Sequence, residues 1–156
     1  QQINYEAIVG PAAKRNEFLQ WINVSNTTWG EWKSAHPDTR VLKRPADEKR
    51  DYDRYPYGSY EENTEIKFGA SDSDKRLHPK DVVYGIKIRD TAKAYSKPKI
   101  ELVGRLEDNV DGDPVLVEKK EDGSLIVRNK ENGQEYLTQR SFWFVWSTFN
   151  PGTPLY

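Results

Sequence analysis

The sequence predicts a mostly β fold of the α+β class, an antiparallel meander with two short helices in related halves of one domain. Two observations predict this. Alternating apolar residues and turn dipeptides fill the second half, and one aromatic phrase occurs twice. Hydrophobic residues make up only 35% of the chain, which predicts a small, aromatic-rich core. At 156 residues the chain has the length of a single domain, residues 1–156, with possible related halves at 1–60 and 61–156.

The strand predictions rest on short apolar or alternating stretches bounded by turn residues. Asp122-Gly123 and Asn132-Gly133 are hairpin dipeptides, and residues 107–114 are predicted to form an acidic turn. The predicted strands are residues 3–10, 18–24, 65–68, 82–88, 92–95, 100–106, 115–118, 124–128 and 134–138.

The phrase W-x-x-W-x-x-x-x-P-x-T occurs at residues 29–39 and again, 114 positions later, at 143–153. Each copy predicts a helix with two indoles one turn apart, ended by the turn at Pro37 or Pro151. Thr28 and Glu31 have the spacing of a capping box that begins the first helix. Ser141 is expected to cap the second.

The two helices differ in polarity. The second is apolar nearly all round, which predicts structural, buried roles for Trp143 and Trp146 or docking of this helix on a partner. The first is otherwise polar. Paired indoles are more often core residues, but Trp29 and Trp32 are the better candidates for binding a partner or a flat ligand such as a sugar.

A long polar loop at residues 43–60 is the second candidate site. It contains four tyrosines within nine residues, Tyr52, Tyr55, Tyr57 and Tyr60, close to Pro56 and Gly58. Long loops without regular structure are often functional, and protein interfaces are enriched in tyrosine. Two interpretations stay open: the tyrosines contact a protein partner, or they only cover the small core of the domain.

Metal and cofactor chemistry has little support in the sequence. The chain has no Cys, and its two histidines each stand directly before a proline. Asp108, Asp111 and Asp113 form a weak Ca²⁺ candidate, but they lack EF-hand spacing and favour an acidic turn. We therefore predict no cofactor and no metal requirement.

Charge and hydropathy narrow the partner class. A net charge of −1 and a pI near 6.2 argue against nucleic-acid binding. The given chain contains no apolar run of the roughly 18 residues needed to span a bilayer. The lack of Cys and Met favours an exposed, oxidising location.

Several phrases resemble a bacterial and archaeal family known as the domain-of-unknown-function family numbered 3179. They are residues 5–11, 28–33 running into 36–39, 55–60, 77–86, 92–95 and 142–153. The resemblance implies a secreted or periplasmic setting but no established activity, so it supplies no catalytic residues. Members usually have a longer N-terminal part, relative to which this chain looks truncated or permuted. Many also carry a Cys after a Pro-Val strand, whereas no Cys follows Pro114-Val115 here.

Together these features predict a secreted, periplasmic or extracellular binding or assembly module that contacts another protein and is not an enzyme. The alternative is a hydrolase or carbohydrate-active domain with an aromatic cleft. Its acid and base would come from Glu61, Glu62 or Asp53.

Overall fold

The structure is a computed structural model that describes residues 9–47, 49–67 and 74–156. The helices are α1 Gly10–Lys14, α2 Trp29–Ala35, α3 Lys97–Val103 and α4 Trp143–Phe149. The strands are β1 Val82–Ile88, β2 Thr91–Ser96, β3 Arg105–Val110, β4 Asp113–Lys119, β5 Leu125–Asn129 and β6 Thr138–Phe142. The described residues thus form two antiparallel sheets with short helices, which confirms the mostly β, α+β class.

Each sheet has three strands, in the orders β2-β1-β6 and β3-β4-β5. The second sheet is the predicted meander. In the first sheet, β6 returns after the whole second sheet and pairs with the free side of β1, where Gly85 lies opposite Gln139. The meander prediction therefore holds for one sheet, and a long connection closes the other.

Strand β1 is the middle strand of its sheet, and both of its faces are buried. Tyr84, Ile86 and Ile88 point into a core shared with the second sheet. Val83 points to the opposite face, where it packs with Trp143 and other residues of the α4 side. A strand that is covered on both faces needs two partners, and these are the second sheet and α4.

Helix α4 is held at its beginning by backbone carbonyls. The N–H groups of Trp143 and Phe144 donate to the carbonyls of Asp81 and Pro79, at 2.8 and 2.9 Å. These bonds satisfy two of the N–H groups that a helix leaves free at its N-terminus. The prediction that Ser141 caps this helix is wrong, since Ser141 lies within β6 and the N-cap is Phe142, without a side-chain cap.

The prediction of a strand at residues 100–106 is wrong at its beginning. Pro98 stands in the first turn of α3, Gly104 ends the helix with φ +72°, and Ile100 is the buried residue of its inner face. Pro is favoured at a helix start and Gly at a helix end, so the local sequence was consistent with a helix. The strand β3 begins only at Arg105.

The prediction of a strand at residues 18–24 is also wrong, because only Phe18 takes part in a β-bridge. The side chain of Asn23 instead bonds the sheet edge. Its Nδ2 donates to the Tyr136 carbonyl at 3.0 Å, and its Oδ1 accepts from the Thr138 N–H at 2.9 Å. A side chain here makes the hydrogen bonds that a paired backbone would have made.

Other predicted strands change their limits. Residues 1–8 lie outside the described part of the chain, and Gly10, the end of the predicted strand 3–10, begins α1 instead. Residues 65–67 have no strand, and Phe68 is not described. The strand predicted at 134–138 begins only at Thr138, after a single bridge at Glu135. Glu107 to Val110 extend β3, so the acidic turn is shorter than predicted.

The described helices are five to seven residues long, and none of them could cross a bilayer.

Candidate functional site

The tyrosine-rich loop is fastened to the body of the protein by Lys80. This side chain is 4% exposed, and its Nζ donates to Asn63 Oδ1 at 2.8 Å and to the Tyr60 carbonyl. The same Nζ lies 3.6 Å from the centre of the Tyr60 ring. Burial lowers the pKa of Lys80. Because Lys80 lies between the two carbonyls that begin α4, the loop and α4 share one anchor.

A groove of about 730 Å³ separates this loop from α4. Its two walls come from residues far apart in sequence, and most of the lining is aromatic or aliphatic. The loop wall consists of Pro56, Tyr57, Tyr60, Glu61 and Lys67, and the helix wall of Phe142, Phe144, Val145, Thr148 and Phe149.

The groove presents aromatic surface to its surroundings. Tyr57 is 67% exposed and Phe149 is 58% exposed, one on each wall. The rings of Phe142 and Phe144 stack with their centres 6.2 Å apart. Contiguous exposed apolar surface on a folded protein marks an interaction site more often than single exposed residues do.

The structure brings two of the four predicted tyrosines, Tyr57 and Tyr60, into the groove lining. Tyr55 lies beside the groove, where its OH donates to Glu61 at 2.5 Å and its ring meets Tyr57 edge-on. The bond to Glu61 raises the pKa of Tyr55. Tyr52 lies apart, under the guanidinium of Arg44.

The carboxylates considered for hydrolysis have other partners. Asp53 pairs with Arg44 at 3.0 Å, and Glu61 accepts from Tyr55. The described groove lining includes Glu61 but neither Asp53 nor Glu62. The described lining therefore does not supply the pair of carboxylates that glycoside hydrolysis requires.

The other candidate site is the first tryptophan phrase, whose indoles are not core residues. Trp29 is 53% exposed, and Trp32 is partly exposed. The Trp32 ring lies against His36, with centres 4.0 Å apart, and its Nε1 donates to Thr39 Oγ1 at 3.0 Å. The helix–turn prediction for this copy is confirmed, with Pro37 in the turn.

Helix α2 rests on the β4–β5 hairpin through one carboxylate. Glu31 completes the predicted capping box with Thr28 and accepts from Lys119 Nζ at 3.0 Å. Thr27 adds a bond from its Oγ1 to the Asp122 carbonyl. The Lys119 contact, followed by the bonds from Thr28, lowers the pKa of Glu31 to about 2. The helix face that carries Glu31 is thus occupied, whereas Trp29 stays exposed.

The three aspartates of the acidic turn are engaged by cationic side chains. Asp111 and Asp113 each pair with Arg89 at 2.9 Å, and Asp108 pairs with Lys93 at 3.1 Å. In the described part of the chain, no group of three or more His, Asp or Glu side chains has a metal-binding arrangement.

Sequence reasoning did not identify Lys80, and it gave docking of the closing helix on a partner only as an alternative to its burial. The helix was recognisable from its pattern, since a helix that is apolar all round must be covered on more than one side. Trp143 and Trp146 are buried, at 0% and 3% exposure, while Phe149 remains 58% exposed on another side. For Lys80 the sequence carries no comparable indication.

A family model described as "Protein of unknown function (DUF3179)" matches residues 1–140. Neither a curated protein nor a solved structure matches the chain.

Proposed function

We infer that this chain, which belongs to the DUF3179 family, is a binding module that holds an apolar segment of a protein partner in the aromatic groove. The observation that carries this proposal is the aromatic lining of both walls, with Tyr57 and Phe149 exposed, around a groove of about 730 Å³. We place this activity outside the cytoplasm, an assignment supported by the lack of Cys and Met.

The chemistry of the lining defines the occupant. Aromatic rings on both walls offer large contact area at a low cost in side-chain entropy, and aromatic-lined grooves suit extended, proline-containing peptides. Glu61 and Lys67 supply one charge of each sign among the lining residues. We therefore propose an extended peptide segment with apolar or proline side chains and few charges.

The anchor at Lys80 supports a preformed groove. The loop wall is fixed to the same short segment that begins α4, so both walls are positioned before a partner arrives. Preformed sites avoid the cost of ordering a loop during binding.

A displayed library of random peptides, panned against the folded chain, tests the proposal. Selected peptides should lose at least about tenfold in affinity with Tyr57→Ala and with Phe149→Ala, the loss expected when a contact worth about 1.4 kcal/mol is removed. Both side chains are exposed, so the Tm should stay nearly unchanged.

The matched control is Tyr52→Ala, which removes a tyrosine of the same loop that does not line the groove. It should bind the peptides like the parent chain. An unsuccessful selection, or peptides that bind all three variants equally, would contradict the proposal. Oligosaccharides that bind in place of peptides, and are lost in the same two variants, would favour the carbohydrate-active alternative.

A further inference from the structure

The two tryptophan phrases form the same local structure. The helices begin after residues of matching conformation, Thr28 at φ −77°, ψ 155° and Phe142 at φ −72°, ψ 151°. They end at His36 with φ −132°, ψ 69° and at Asn150 with φ −131°, ψ 67°. The sequence repeat is therefore a repeat of backbone geometry.

The turns after the helices are also closed in the same way. Trp32 Nε1 donates to Thr39 Oγ1, and Trp146 Nε1 donates to Thr153 Oγ1, at 3.0 and 3.3 Å. In both turns the N–H of the threonine donates to the carbonyl of the residue that ends the helix, at 3.1 Å. The indole and the threonine thus define one compact unit in each copy.

The second unit packs its second indole on β1 and pairs the chain after its turn with β2. The ring of Trp146 lies so close to Gly85 of β1 that a methyl group there would overlap it. The chain after the turn then adds to β2 as a parallel neighbour. Ala94 N–H donates to the Pro154 carbonyl, and Tyr156 N–H donates to the Ala94 carbonyl, both at 3.0 Å. Leu155 packs on the core beneath α4.

The first unit has the same helix and turn, but the two residues equivalent to Leu155 and Tyr156 are exposed. The offset of 114 positions places Val41 at the position of Leu155 and Leu42 at the position of Tyr156. Val41 is 68% exposed and Leu42 is 97% exposed. Upstream of the unit, further large apolar side chains are exposed: Phe18, Leu19, Ile22 and Val24. Exposed apolar surface of this extent points to a missing contact.

We propose that residues 28–42 are a closing unit for a second sheet of the β2-β1-β6 design, carried by another domain of the same family. That sheet would place a glycine beneath Trp32 and offer an outer strand to residues 40–42. The equivalent sheet of this chain is filled by its own unit, with Trp143 fully buried. A second copy of the chain therefore does not present it.

The attachment of α2 is compatible with this docking. Helix α2 contacts the β4–β5 hairpin through Glu31, and Trp29 stays 53% exposed beside that contact. The backbone of residues 40–42 is in neither a helix nor a strand. Residues 40–42 therefore belong to neither of the two described sheets.

A graft within the full chain tests whether the first unit can close such a sheet. Residues 146–156 are replaced by the sequence of residues 32–42, so that Trp32 supplies the ring over Gly85. We expect cooperative unfolding with a Tm within about 10 °C of the parent. The matched control carries Ala in place of the grafted tryptophan and should lose at least about another 10 °C, as removal of a buried indole does. A graft no more stable than its control would overturn the proposal.

Site-specific cross-linking tests whether the partner sheet exists. A photoreactive residue is placed at position 42, and for control at Leu102, which is 85% exposed on α3. In the native host, position 42 should cross-link to a strand in a second domain of this family, and Trp32→Ala should abolish the product. A cross-link to a protein of another kind, or a yield no higher than at position 102, would overturn the proposal even if the graft folds.

Discussion

The two tryptophan units have nearly identical backbones, yet one is buried and the other is exposed. Trp143 and Trp146 are 0% and 3% exposed, whereas Trp29 is 53% exposed. The difference comes from the residues between the indoles, which are Gly30-Glu31 in the first unit and Phe144-Val145 in the second. The shared positions determine the local fold, and the intervening positions determine what each helix contacts.

The intervening residues also explain the two attachments. Glu31 fixes α2 to a hairpin by a capping box and an ion pair with Lys119, which are polar contacts at the surface. Val145, at the equivalent position of α4, lines the aromatic groove. One helix is therefore held by hydrogen bonds and charge, and the other by burial of apolar area.

The largest test of this contrast removes one indole at a time. Trp146→Ala should lower the free energy of unfolding by about 3–5 kcal/mol, because it leaves a cavity over Gly85. Trp29→Ala should cost less than about 1 kcal/mol, because its side chain is already half exposed. Urea denaturation of both variants measures the difference. Equal losses would mean that α2 is packed as tightly as α4.

A smaller effect is expected from adding one methyl group. Gly85→Ala should destabilise the protein by roughly 1–3 kcal/mol, since the new methyl would overlap the Trp146 ring. Gly30→Ala adds the same group within α2, where the nearest atom outside the helix backbone is Thr28 Oγ1 at 4.0 Å. It should be stabilising by up to about 1 kcal/mol, because alanine favours a helix. If thermal unfolding shows a lower Tm for both variants, the space around Gly30 is not open as the structure indicates.

The smallest expected effect is an acid-dependent loosening of α2. The folded-state pKa of Glu31 is about 2, below the ordinary value of 4.5. Its stabilising contribution is therefore present above about pH 4.5 and is lost as the pH falls towards 2. The NMR signal of the Trp29 indole N–H should shift over this range and that of Trp143 much less, because Val145 replaces Glu31 in α4.

Glu31→Gln is the control for that titration. It keeps the size of the side chain and one acceptor oxygen but removes its charge. The shift of the Trp29 signal between pH 4.5 and 2 should disappear in this variant. A shift that persists unchanged would assign the titration to another carboxylate.

Elements with strong local patterns were predictable. The β-branched and aromatic residues of 82–88 define β1, and Asp122-Gly123 locates the turn before β5. Thr28 and Glu31 define the start of α2. The strand prediction for residues 18–24 was wrong because an apolar stretch becomes a strand only when it pairs with a sheet edge.

The groove could be predicted only in part. The tyrosines of the loop were recognisable by composition, and the apolar helix by its pattern. Their meeting depends on Lys80, which bonds the loop beside the carbonyls that begin α4. No local pattern encodes that contact, because its partners lie about 20 and 60 residues apart in sequence.

The sequence by itself determined the two tryptophan units, because an indole, a proline and a threonine at fixed spacing close a turn through bonds within about ten residues. It also determined the strands rich in β-branched residues and the hairpin turns. The polarity of the intervening residues indicated which unit is buried, but only the tertiary structure decided what covers it, since Trp146 lies against Gly85 and Leu155 pairs with β2, both distant in sequence. Local hydrogen bonds fix the shape of a unit, whereas its environment depends on which distant surface has room for it.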